Sequence, residues 1–163
     1  MMGDVEGVRN ILVRKAHVSE SSAIASILRQ AFNEYEHLYT PSAFAATTPT
    51  SAQIQERWNE GPVWVAVQNE NEVGTSAAVA KHNGLYIRSM AVLPFARGQG
   101  IAVQLLKVVE SFAVSGHAEC LFLRTTPFLT RAIRLYERFG FQRSNEGPQD
   151  LFGTPLFTMI KQL

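Results

Sequence analysis

The period of the apolar positions changes along the chain, and each change predicts an element. An apolar-rich run at 11–16 reads as a strand, preceded by a segment, 1–10, that reads as flexible. Ser19 then reads as the cap of a helix whose apolar residues Ile24, Ile27, Leu28, Ala31 and Phe32 recur at helical spacing. From 33 to 49 there is no clean period, only Tyr35, Tyr39 and Phe44 set among Glu34, Glu36 and His37. Thr50-Ser-Ala-Gln53 is a capping-box pattern and predicts a second helix running to about Trp58. Strands are predicted at 63–67 and 73–80, joined across the polar turn 69–72, and Asn83-Gly84 predicts a tight turn leading into a third strand at 85–92 that Pro94 stops. Ile101, Leu105, Val108, Val109 and Phe112 mark a helix that ends near Gly116. Cys120–Thr125 reads as a buried strand. Ala132, Ile133 and Tyr136 share one face of a last helix closed by Gly140, and two closing strands follow around the loop 147–154. This order predicts an α/β chain built on a mixed sheet with helices on its faces.

Composition narrows the functions available to such a chain. With 163 residues, 46% hydrophobic and 18% charged, residues 11–163 suit a single domain, which at this length buries roughly 70% of its unfolded surface. A net charge of +1 speaks against a broad nucleic-acid footprint. The lone Cys120 rules out an internal disulfide and reads as a small buried hydrophobe. His17, His37, His82 and His117 lack ligand spacing, so no metal is expected. No basic segment followed by an apolar run opens the chain, and no run approaches the roughly 20 apolar residues that span a bilayer, so a cytoplasmic protein without membrane partners is expected.

Chemistry concentrates at Met90-Ala-Val-Leu-Pro-Phe-Ala-Arg-Gly-Gln-Gly-Ile-Ala102, where a strand ends, a glycine-rich turn follows and a helix begins. Such a turn gathers unpaired N–H groups at the positive end of a helix, a setting for phosphate, and Arg97 adds charge at its mouth. A Walker loop would end in Gly-Lys-Ser/Thr, but Gly100 is followed by Ile-Ala; a dinucleotide fingerprint would place glycine where Val103 stands. The alternative without chemistry is a plain helix start.

Arg97-Gly-Gln-Gly-Ile-Ala102 resembles the signature Arg/Gln-x-x-Gly-x-Gly/Ala of the GNAT N-acetyltransferase superfamily, and Ala132-Ile-Arg-Leu-Tyr-Glu-Arg-Phe-Gly-Phe141 resembles that family's second recurrent block. The resemblance implies the GNAT acyl-CoA N-acyltransferase fold, a mostly antiparallel sheet splayed between two parallel strands and flanked by about four helices. It implies that the amides of Arg97, Gly98, Gln99, Gly100, Ile101 and Ala102 bind the pyrophosphate of acetyl-coenzyme A (acetyl-CoA). The strand residues Met90, Ala91 and Val92 would hold the pantetheine arm. Tyr136 would donate to the departing thiolate. Where many members carry an asparagine, this chain has Leu129, and the run Thr125-Thr126-Pro127, with Thr126 as the contact, is expected to substitute. Arg131 and Arg134 are candidates for the coenzyme phosphates. No general base identifies itself among Glu34, Glu36, His37 and His82.

The implied activity is direct attack of an amine on acetyl-CoA, the acceptor being a small molecule or peptide held by 32–50 and 147–154. The mixed aromatic and acidic character of those segments suits a small cation with some apolar body. A homodimer is the family's default. The rival reading is a non-catalytic acetyl-CoA-binding module.

Overall fold

Residues 10–163 are described by a computed structural model. The segment expected to be flexible, 1–10, lies outside the described residues except for Asn10. The strands are β1 (Ile11–Lys15), β2 (Val63–Gln68), β3 (Asn71–Lys81), β4 (Gly84–Val92), β5 (Cys120–Thr125), β6 (Gln142–Arg143), β7 (Gln149–Leu151) and β8 (Thr154–Gln162). They form one sheet in the order β1-β2-β3-β4-β5-β8-β6, with β7 pairing to β8. All pairings are antiparallel except β4 with β5. That one parallel pairing runs only from Gly84↔Cys120 to Tyr86↔Phe122. Beyond it the two strands part, as the expected splay requires.

Among the described residues five α-helices pack around the sheet, against an expectation of about four: α1 (Ser21–Phe32), α2 (Pro41–Thr47), α3 (Ser51–Glu56), α4 (Ile101–Ser115) and α5 (Thr130–Phe139). The additional one, α2, lies in the stretch without a period. There the chain makes a 3-10 turn, Asn33–Leu38, and then α2, whose first turn is closed by Thr40 Oγ1 accepting from the Ala43 N–H at 3.2 Å. Thr40 also ties this segment to the far end of the chain: its N–H donates to Thr154 Oγ1 at 3.0 Å and its hydroxyl to the Phe152 carbonyl at 2.7 Å. Tyr39, Ala43 and Phe44 form a small second core here, apart from the main one.

Two turns differ from expectation by small steps with clear causes. Ser19 lies inside a 3-10 turn, Val18–Glu20, and does not cap α1. The acceptor at that end is instead the Glu20 carboxylate, which takes the His17 N–H at 2.8 Å and both terminal nitrogens of Arg14 at 2.8 and 2.9 Å. At the hairpin, the residue with left-handed backbone is His82 (φ 54°), and Gly84 already pairs with Lys81. Glycine is needed at 84 because of a close approach: a Cβ there would sit 2.9 Å from Cys120 Sγ and 3.2 Å from the Phe122 ring. Cys120 itself is buried, and burial pushes its thiol up, as befits a packing residue.

The main core lies between the sheet and α1 and α4. α4 turns Ile101, Leu105, Leu106, Val109 and Ala113 inward. Phe112 stays at the rim, edge-on to Trp64.

The Arg14 guanidinium holds the Glu20 carboxyl down at about 2. Because the folded value lies below the unfolded one, roughly 4.3, the ionised pair stabilises the fold above the unfolded value. That contribution is lost as pH falls toward about 2. Glu20→Gln is therefore expected to lower the melting temperature at neutral pH, with the difference from wild type shrinking through acid. Melting curves taken from neutrality downward check this; a difference that holds constant into acid would contradict it.

Candidate functional site

The site begins where β4 ends. After a 3-10 turn, Pro94–Ala96, the chain passes through Gly98 (φ 81°) and Gly100 (φ 79°) and enters α4. Both glycines use backbone that L side chains rarely adopt, and a Cβ on either would meet nothing within 4 Å. The glycines therefore bound open space rather than a packed neighbour. No side chain caps α4, and its first internal bond runs from the Gln104 N–H to the Gly100 carbonyl, 3.1 Å. The amides before Gln104 have no helical acceptor, and the dipole of a 15-residue helix adds positive character at the same place.

The two polar side chains of this turn are engaged elsewhere. Arg97 donates to Glu34 at 2.6 Å and to the Ala31 carbonyl at 3.1 Å, which fastens the turn to the end of α1. Its charge is thus paired with a carboxylate, and what the turn offers an anion is backbone. Gln99 Oε1 accepts from Gln68 at 2.7 Å.

A cleft of about 360 Å³ runs from the turn along β4 toward the gap between the parting strands, lined by Met90, Val92, Arg97, Gly98, Gly100, Ile101 and Ala102 on one side and by Leu129, Arg131, Ala132, Leu135, Tyr136 and Arg138 on the other. A second cleft of about 310 Å³ opens against the same gap and includes Tyr39, Arg57, Tyr86, Arg88, Arg124 and Thr126. The two share Phe32, Met90, Leu129 and Tyr136 as a common wall.

At that wall β4 carries a bulge. Ala77 pairs with Arg88 and Thr75 with Ala91, so Ser89 and Met90 together oppose Ser76. Ser89 takes φ 52°, a strained conformation for a residue with a side chain, and accepts from Arg57 at 3.1 Å.

Tyr136 stands at the centre of this arrangement, 9% exposed, with its ring edge-on to Phe141 at 5.9 Å. Its hydroxyl makes no hydrogen bond among the described residues. Burial, with Tyr39 close by, pushes the phenol up to about 12, so it is protonated throughout the physiological range. Tyr39 is likewise pushed up to about 12 by burial, with the Thr126 and Thr47 side chains beside its hydroxyl.

Of the residues singled out from the sequence, Met90, Val92, Arg97, Gly98, Gly100, Ile101, Ala102 and Tyr136 meet in the first cleft, and Arg131 joins them. Ala91 is buried and faces away, Gln99 is held by Gln68, and Thr126 lines the second cleft instead. Arg134 lines neither cleft. Among the candidate bases, Glu34 is paired with Arg97, Glu36 and His37 are exposed on the 3-10 turn, and His82 lies at the opposite end of β4; none lines either cleft. Sequence reasoning missed Arg57, Arg88 and Arg124, whereas Tyr39 belongs to the segment 32–50 expected to hold the acceptor. For Arg88 a signal existed: a charged residue inside a strand whose alternate positions Tyr86 and Met90 turn out to line the same cleft.

Among the described residues there is no group of His, Cys, Asp and Glu suited to a metal ion, and no helix long and apolar enough to cross a membrane.

The profile of the Acetyltransferase (GNAT) family matches residues 28–141. YjgM of Escherichia coli K12, named an uncharacterized N-acetyltransferase, is 30% identical over 138 residues, covering 80% of this chain and 81% of its own. PaiA N-acetyltransferase of Thermoplasma acidophilum, solved in complex with coenzyme A, superposes with a TM-score of 0.80 at 15% identity, covering 94% of this chain and 99% of that one. A GNAT family acetyltransferase of Elizabethkingia anophelis, solved with acetyl-CoA bound, superposes with a TM-score of 0.69 at 20% identity, again covering 94% and 99%. At those identities the two solved structures speak to the fold.

Proposed function

Because this chain belongs to the acetyltransferase (GNAT) family and is an acetyltransferase by that membership, we propose that it transfers the acetyl group of acetyl-CoA directly to a primary amine, using the two clefts for the two substrates. The observation that carries this reading is the open cradle of Gly98 and Gly100 at the uncapped start of α4, continuous with a cleft that ends at Tyr136. The cradle suits a diphosphate in the chemistry of its donors: backbone amides at a helix N-terminus need no countercharge of their own. Relatives of the same fold hold coenzyme A or acetyl-CoA, which supports the assignment of this cleft.

The chain's own contribution follows from the parts in order. Past Tyr86 the edge of β4 facing β5 has no strand partner, so its N–H and C=O groups are available to an extended arm laid alongside. The activated thioester is what acetyl-CoA supplies. The bulge at Ser89 and Met90 lies at the common wall, and a backbone amide freed from the ladder there is the donor we assign to the acyl oxygen, where negative charge develops during attack. Tyr136 holds its proton there as an unpartnered donor. A phenol pushed to about 12 is a weaker acid than a thiol, roughly 8.5, so its role is a hydrogen bond to the departing sulfur rather than full proton transfer. Apolar Phe32, Met90 and Leu129 keep water from the same wall. With no carboxylate or histidine lining either cleft, the acceptor's ammonium proton leaves through water.

The rival reading, a binding module without turnover, is disfavoured by a complete cradle and a tyrosine placed as a donor. The experiment for the coenzyme assignment is a melting series. Acetyl-CoA at 100 times its Kd stabilises by about 2.7 kcal/mol, a rise of roughly 5–10 °C for a domain of this size, while ATP and NAD at the same concentrations leave the melting point unchanged. A rise with ATP or NAD and none with acetyl-CoA would assign the cradle to a nucleotide instead.

A further inference from the structure

The lining of the second cleft carries the opposite sign to the one that suits a cationic acceptor. No Asp or Glu lines it, whereas Arg57, Arg88 and Arg124 do. Arg57 comes from the end of α3, Arg88 from β4 and Arg124 from β5, so three separate elements bring guanidinium groups to one hollow beside Met90 and Tyr136.

Their internal partners do not use them up. Arg88 pairs with Glu60 through one terminal nitrogen at 2.5 Å, and its Nε is buried without a hydrogen-bond partner. Arg57 donates to the Ser89 hydroxyl and has no carboxylate within ion-pair distance among the described residues. Burial and the neighbouring charge of Arg88 both disfavour its positive form, with Glu60 opposing. Arg124 lies over the Tyr86 ring, 5.6 Å from its centre, at the cleft's edge. Adjacent, half-buried like charges are unfavourable alone and become favourable when an anion accepts from both, and the planar fork of a guanidinium matches a carboxylate.

We propose that the acceptor is a small amine that also bears a carboxylate, an amino acid in the chemical sense, with the carboxylate held by Arg57 and Arg88 and the amine presented at the wall formed by Met90 and Tyr136. This rests on the acetyl-transfer reading and goes beyond it by naming the acceptor class. It also gives the arginines a second effect. Positive charge beside the bound amine disfavours its ammonium form and raises the fraction able to attack, in a cleft that supplies no base.

The test compares α-amino acids, their carboxamides and polyamines as acceptors, following free thiol release at saturating acetyl-CoA. The carboxylate-bearing amines are expected to exceed their carboxamides by about 100-fold in kcat/KM, the scale of a lost charged hydrogen-bond set. Arg57→Gln and Arg88→Gln, each shown to be folded by its melting rise with acetyl-CoA, are expected to shrink that ratio by about 10-fold or more each. Carboxamides or polyamines turned over as well as the amino acids would overturn the inference and leave acetyl transfer standing. Thiol release on no amine at all would overturn acetyl transfer and this inference with it. Should either variant fail to fold, the wild-type ratio alone decides.

Discussion

Tyr136→Phe is expected to lower kcat by roughly 10–1,000-fold, the scale of a lost hydrogen bond to developing negative charge, while the KM for acetyl-CoA changes little. The reasoning starts from a hydroxyl without a hydrogen-bond partner in a nearly buried side chain. A hydroxyl left without an internal partner at the wall between two clefts is open to a bond made during reaction. The same fact separates catalysis from folding. Removing an unpartnered hydroxyl breaks no internal bond, and the ring keeps its edge contact with Phe141, so the melting temperature should stay within about 1 °C of wild type. Slow turnover with unchanged stability and unchanged coenzyme binding identifies the phenol as a donor to the reacting atoms. Near-normal kcat would remove it from the mechanism.

Gly100→Val should act on the other parameter. A side chain at φ 79° is strained, and for a β-branched residue markedly so. Its methyl groups would occupy space that no protein atom fills within 4 Å, which is the volume assigned to the coenzyme's diphosphate. Loss of a pair of amide contacts to a charged group, at about 1.5–3 kcal/mol each, predicts a rise of about 100-fold or more in the KM and Kd for acetyl-CoA. The protein should remain folded at a lowered melting temperature, because nothing packed is displaced. Titration of acetyl-CoA against the folded variant checks this. Unchanged affinity would show that the diphosphate lies elsewhere.

The parts of the fold legible in the sequence are those with a long period or a strong stop. α4 and α5 announce themselves through helical spacing closed by Gly116 and Gly140, and β2, β3 and β4 through apolar runs bounded by turn residues. The exact position of the hairpin turn is not legible because His82, Asn83 and Gly84 all tolerate turns, while the close approach of Cys120 to Gly84 is a contact between strands distant in sequence. Residues 33–49 were opaque because a 3-10 turn and a seven-residue helix are too short to show a period. Their stability comes from Tyr39, Phe44 and contacts with 152–154 at the other end of the chain.

The site divides along the same line. A local motif carried the cradle, since Gly98 and Gly100 sit in one turn and positive φ is a property of the residue type. The place of Arg97 in the turn is legible from the motif, but its role as a fastener is not, because its partner Glu34 is distant in sequence. The bulge left no trace: Ser89 is not a residue that favours left-handed backbone, and the pairing of Arg88 and Ala91 to β3 imposes it. The arginine hollow was invisible for a similar reason. Arg57, Arg88 and Arg124 belong to no motif and converge only through sheet order, whereas the acidic residues of 33–49 suggest the opposite sign for that side of the molecule.

The central claim is acetyl transfer from acetyl-CoA to an amine, and one assay addresses it most directly. Purified protein with acetyl-CoA is followed for free thiol with and without amine, and the N-acetyl product is quantified alongside. The prediction is thiol release that depends on amine, matches N-acetyl product one for one, and falls in step with Tyr136→Phe. Saturable acetyl-CoA binding without amine-dependent release on any acceptor would contradict it and identify the chain as a coenzyme-binding module.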